Sequence, residues 1–172
     1  GRRILTAAHD GLVRVFDLAG EEMVASLSAP ETQSVRYATF SRDDSLVAMA
    51  GEDRAVWIWN ALGWQLASEA LQHGQWVICS AFDGTGRLVA TGGFDRHVRV
   101  WDWENGRELL PRMVHQECVA SVSFSPDDRF ILSGSWDGTA RLWNASDHQP
   151  VSFANTLHHS RAVRSAGFHP SG

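Results

Sequence analysis

Lysine is absent from this chain: all 15 basic residues are arginine, set against 20 aspartates and glutamates, for a formal net charge of −5. Phosphate backbones and anionic headgroups meet no favourable field on such a surface, which argues against nucleic-acid and membrane partners. The all-arginine usage suits a GC-rich, bacterial coding sequence. Cysteine is scarce, with Cys79 and Cys118 alone. Neither has a second cysteine at metal-ligand spacing, so the pair makes neither a disulfide framework nor a thiolate metal site. Free thiols point to a reducing, cytoplasmic setting. No apolar run approaches the about 20 residues of a spanning helix. The opening Gly1-Arg2-Arg3-Ile4 lacks the apolar stretch of a secretory signal.

What the chain does have is aromatics, turn formers and a period. It carries 8 Trp, 8 Phe and 15 Gly, a composition that favours strands joined by tight turns. Asp10, Asp53, Asp95 and Asp137 are spaced by 43, 42 and 42 residues, and Phe16, Trp59, Trp101 and Trp143 each follow their aspartate by six. A second ladder, Val35, Val77, Val119 and Val163, keeps the same register, each valine followed five residues later by Phe40, Phe82, Phe124 or Phe168. Between Val119 and Trp143, short β-rich runs alternate with the turn clusters Ser125-Pro126-Asp127-Asp128 and Trp136-Asp137-Gly138. Fourth strands are expected at 22–27, 64–69, 107–113 and around 149–153. Four short strands per unit of about 42 residues predict an all-β propeller of four-stranded antiparallel blades.

The segments Ser133 to Asn144 (SGSWDGTARLWN) and Thr91 to Asp102 (TGGFDRHVRVWD) resemble the strand-turn-strand signature of the WD-repeat (WD40) family. The family's histidine stands at His73, His115 and His159, four residues before each strand valine, while Glu31 takes its place in the second unit. The closing Trp-Asp pair is complete only at Trp101-Asp102. On this pattern the units run approximately 1–34 (partial), 35–76, 77–118 and 119–162. Residues 163–172 would be the missing strand of the first unit.

His115, Ser133 and Asp137 have the parts of a nucleophilic triad. The same set recurs one unit earlier as His73, Thr91 and Asp95, and the resemblance implies a structural tetrad in each, completed by Trp143 and Trp101. Indole only donates, a hydroxyl does both, and imidazole can pass the chain on to a carboxylate. Adjacent His158 and His159 point to opposite faces of a strand, so no metal is expected. No catalytic residue and no cofactor are expected either.

The resemblance also implies a partner-binding rim, at the residues flanking each strand valine and before each turn aspartate. These are Ser34, Arg36, Trp76, Ile78, Cys118, Ala120, Ala162 and Arg164, with His9, Glu52, Phe94 and Trp136. By simple strand alternation the flanking residues should face the channel mouth, gathering Trp76, Phe94 and Trp136 into one aromatic patch. The expected function is a non-catalytic scaffold or recruitment module for a protein or peptide, within a larger regulatory protein. The alternative is a propeller enzyme of hydrolase or lyase type with its site in the channel, against which stands the lack of any carboxylate flanking the valines. Nucleic-acid binding ranks last. Gly1 and Gly172 fall at equivalent points of the repeat, a period of 171 residues. Strand 163–168 is therefore expected to pair with residues 3–8, either within one chain or between two chains in an eight-bladed homodimeric ring.

Overall fold

The computed structural model describes residues 2–30, 32, 34–151 and 156–169. Four antiparallel sheets follow one another along the chain. The first contains β1 (Arg3–Ala7), β2 (Val13–Asp17) and β3 (Glu22–Leu27). The second contains β4 (Val35–Phe40), β5 (Leu46–Gly51), β6 (Ala55–Asn60), β7 (Gln65–Leu66) and β8 (Leu71–Gln72). The third is β9 (Val77–Phe82), β10 (Leu88–Gly93), β11 (His97–Asp102) and β12 (Arg107–Val114). The fourth is β13 (Val119–Phe124), β14 (Phe130–Ser135), β15 (Thr139–Asn144) and β16 (Thr156–His158).

The turns explain the regularity. In the second sheet the Ser41 hydroxyl and the backbone and hydroxyl of Ser45 all donate to Asp43 Oδ1, at 2.7, 3.1 and 2.8 Å, and hold that carboxyl down at about 2. Asp44 can then take the left-handed conformation, φ 60°, that the hairpin needs. Ser125, Asp127 and Asp128 repeat the arrangement in the fourth sheet, with Ser125 Oγ 2.6 Å from Asp127 and Asp128 at φ 58°.

Each pair of neighbouring sheets encloses its own core. Val13 and Leu27 of the first sheet meet Val35, Val47 and Met49 of the second. Val56, Ile58 and Leu71 meet Val77, Val89 and Trp101. Ala90, Val98 and Met113 meet Val119, Ile131 and Trp143. At about 1.5–3 kcal/mol for each fully buried aliphatic side chain, no sheet is stable without its neighbour. The inner strands also touch in sequence, β9 against β4 and β13 against β9, and β4 in turn packs against β1 of the first sheet.

Three expectations need correction. The outer strand of the second sheet starts only at Gln65, because Trp64, at φ 53°, belongs to the turn before it, and it is split into β7 and β8 at residues 67–70, where the Ser68 hydroxyl accepts from Ile58 N at 3.2 Å in place of a backbone carbonyl. In the fourth sheet the outer strand lies at 156–158, with only a bridge from Trp143 to Pro150 before it, and residues 152–155 lie outside the described set. Residues 163–168 form no strand and do not pair with β1, which removes the within-chain pairing, and the first sheet has three strands among the described residues.

Candidate functional site

The third and fourth sheets each contain a buried chain of hydrogen bonds. Trp143 Nε1 donates to Ser133 Oγ at 2.8 Å. At the other end the ionised Asp137 Oδ2, which can only accept, lies 3.0 Å from His115 Nδ1, so that nitrogen carries the proton of the neutral imidazole. His115 Nε2 is then the acceptor, and the Ser133 hydroxyl donates to it across 2.7 Å. One sheet earlier the distances are 2.9 Å from Trp101 to Thr91, 3.0 Å from Thr91 to His73 and 3.3 Å from His73 to Asp95. Burial pushes both imidazoles below their usual 6.5, although the carboxylates pull the other way. Burial would also raise the two carboxyls, but hydrogen bonds outweigh it and leave both well below the usual carboxylate range. They come from His73 and Arg99 at Asp95, and chiefly from Thr139 and the Gln116 backbone at Asp137.

Ser133 thus has a triad's distances with no opening to use them. Its residue surface is 0% exposed, and Trp143 packs against the hydroxyl as a hydrogen-bond donor. Among the described residues no three His, Cys, Asp or Glu side chains converge at metal-binding distance.

The second sheet departs from this pattern. Met49 stands where Thr91 and Ser133 stand in the next two sheets, so Trp59 Nε1 is buried without a partner among the described residues. Asp53 is satisfied differently, accepting from Trp57 Nε1 and Thr32 Oγ1, both at 2.8 Å. Glu31, in the histidine's place, lies outside the described residues. Trp57 was missed as a polar anchor; its position four residues after the aspartate, taken by arginine in the other three units, is the signal that could have found it.

The rim owes its geometry to a bulge rather than to alternation. Val35 pairs with Gly51 and Tyr37 with Ala50, leaving Arg36 as an extra residue, and Ile78 and Ala120 are extra at the same point of β9 and β13. Such a bulge re-aims its side chain and the one before it. Trp76 packs edge-on against Phe94, with ring centroids 5.6 Å apart, and Phe94 against Trp136 at 5.4 Å. Arg36 lies over the Trp76 ring, 5.4 Å from its centroid, with its Nε donating to Glu52 at 2.7 Å. The result is one ladder across three sheets, Arg36, Trp76, Phe94, Trp136, whose aromatic members are 38–44% exposed.

The other rim positions differ in exposure. Ser34, 6% exposed, shares a hydrogen bond of 2.8 Å with His9 Nδ1, and Cys118, 3% exposed, has its thiol raised by burial to about 11. Ile78 and Ala120 are half-buried, while Ala162 and Arg164 are exposed on the segment after β16. Arg36 is neutralised by Glu52, so the rim has less free positive charge than its sequence suggests.

The profile of the WD domain, G-beta repeat family (WD40) matches residues 21–60, 66–102 and 108–144, more than half of the chain. Each matched segment begins in the outermost strand of one sheet and ends in the third strand of the next. No curated protein matches the chain.

Proposed function

Because the chain belongs to the WD40 repeat family, whose repeats generally mediate protein–protein interaction, we propose that the ladder from Arg36 to Trp136 is a docking surface for a protein or peptide. On this reading the chain is a non-catalytic recruitment module of a larger regulatory protein. The observation that carries it is the ladder itself. Three large aromatic side chains are stacked edge-on and left 38–44% exposed at positions the inter-sheet cores do not use. Exposed, ordered aromatics with an arginine at one end have the composition of a binding hot spot. Arg164, exposed and without an ion pair among the described residues, would favour an acidic or carboxylate-ended partner.

The test compares the parent with Trp76→Ala and Trp136→Ala in calorimetric binding to a partner recovered by cross-linking. Each substitution should weaken binding by about 2 kcal/mol, a factor of about thirty, with the thermal midpoint unchanged. Trp64→Ala, outside the ladder, serves as control. Raised salt should weaken binding modestly, since one of the two rim arginines is already paired. Equal affinity in all three variants would rule the ladder out.

A further inference from the structure

The strand ends opposite the ladder are filled unevenly from one junction to the next. Between the second and third sheets, Trp103 packs with Leu46 and Phe82 against the shared core and is 8% exposed, and its Nε1 donates to Gly86 O at 2.8 Å. Between the third and fourth sheets the counterparts of Leu46 and Phe82 are Leu88 and Phe124, and the place of Trp103 is taken by Ala145, again the residue after the third strand. Between the first and second sheets that place is also an alanine, Ala61, but Trp64 packs against the same core beside Phe40. Arg3, which pairs with Asp17 as Leu88 pairs with Asp102, lies over the Trp64 ring 5.3 Å from its centroid. The counterpart of Trp64 in the fourth sheet is His148, and its Nδ1 turns away to Pro111 O at 3.0 Å. Two junctions are thus closed at this end by an indole, and the third is not.

What remains there is a cleft of about 330 Å³ floored by Leu88, Phe124, Phe130 and Ala145. A hydrogen-bond acceptor is in place as well. Gly86 and Asp128 are equivalent left-handed turn residues, at φ 76° and 58°, whose amides donate to Asp83 O at 3.2 Å and Ser125 O at 3.0 Å. Gly86 O is taken by Trp103, whereas no described residue donates to Asp128 O. Asp128 lines the cleft and is fixed by Gly84 N, which donates to its Oδ1 at 2.8 Å. A Cβ at Gly84 would stand 2.6 Å from Asp128 Oδ2, so this close approach requires glycine. A flat apolar group with a single N–H at its edge suits both the floor and the carbonyl, and a phenyl ring would leave the carbonyl unpaired.

We propose that this cleft binds the tryptophan side chain of a partner polypeptide, its ring against Leu88 and Phe124 and its Nε1 donating to Asp128 O, as Trp103 is held one sheet earlier. A residue within a chain fits better than a free amine or amino acid, because the charges at the cleft are already engaged. Asp83 accepts from Leu88 N at 2.9 Å and Thr85 Oγ1 at 2.6 Å, and Arg129 lies over the Phe130 ring, 5.5 Å from its centroid. The site is independent of the ladder, since Leu88 opens β10 at one end and Gly93 closes it at the other.

The probe is N-acetyltryptophanamide, titrated into the whole chain and followed by ligand-observed NMR. The parent should bind it, and the analogue methylated on the indole nitrogen should bind about tenfold more weakly, having kept the area and lost the donor. Ala145→Trp should abolish binding without lowering the thermal midpoint, because it closes the cleft as Trp103 does. Ala145→Leu, a smaller plug, should weaken binding and serves as the second variant should the first not fold. Trp76→Ala should bind the probe like the parent, which separates this site from the ladder. No binding by the parent, equal affinity for the methylated analogue, or undiminished binding by the Ala145 variants would each overturn the assignment. Tighter binding of free tryptamine than of the capped probe would make the cleft a small-amine site and overturn the partner side chain.

Discussion

Thr6 and Ser133 hold the same place in the first and fourth sheets, and they share almost nothing else. Ser133 is sealed between an indole and an imidazole, while Thr6 is exposed on an edge strand. Phe16 and Trp143 differ likewise, one half-buried, the other 5% exposed over a complete network. The fourth sheet has an inner strand and a sheet packed before it, and the first shows neither among the described residues. A motif of this kind is therefore not a self-contained unit. Its hydrogen bonds become stabilising only once an adjoining sheet removes water from them, because an exposed hydroxyl is already satisfied by solvent.

The sharpest way to break this comparison is to remove both hydroxyls. Ser133→Ala leaves two buried donors or acceptors without a partner, Trp143 Nε1 and His115 Nε2, and should cost about 2–3 kcal/mol in urea unfolding. Thr6→Ala should leave the midpoint where it is. Equal losses would mean that position rather than burial sets the effect.

A smaller difference separates the tryptophans. Trp143→Phe and Trp101→Phe each delete a donor from a satisfied network and should cost about 1–2 kcal/mol. Trp59→Phe deletes a buried N–H that has no partner among the described residues, so the polar loss vanishes and only the reduced packing remains. The expected cost is about 1 kcal/mol less than at Trp143, measured by the same unfolding experiment.

The most gradual effect is that of pH. His73 and His115 have folded pKa values below 6.5, so the unfolded chain binds their protons first and stability declines as pH falls below 6.5. Asp95 and Asp137 lie below 3.8 in the fold, and their contribution is present above that value and lost as pH drops through it. Thermal midpoints should be flat above neutrality, fall gently below 6.5 and fall more steeply below 3.8. In His115→Gln the gentle slope should shrink while the steep one persists.

The register of the blades was legible because two ladders, one of aspartates with aromatics and one of valines with phenylalanines, keep the same step. The recurrence of His73 with Thr91 and His115 with Ser133 at one fixed separation was legible for the same reason, while their hydrogen-bonded pairing came from the family resemblance. What alternation could not reveal is the bulge at Arg36, Ile78 and Ala120, because an extra residue on one strand leaves no periodic trace in a segment this short. Nor could it reveal that Glu52 neutralises Arg36 across 16 residues, or that Cys118 and Ser34 are buried. Those depend on how two strands sit against each other, which composition at either position does not encode.

The stagger between matched segment and sheet has a consequence for how such a molecule can lengthen or be cut. Every segment donates its first strand to the sheet behind it and its last three to the sheet ahead, so the heritable unit and the mechanical unit are out of phase by one strand. Copying one segment cannot add a detachable module, because the copy is stitched through two sheets from the moment it exists. Excising one along its own boundaries splits a sheet on both sides of the wound, and the chain heals only by rejoining strands of the same rank.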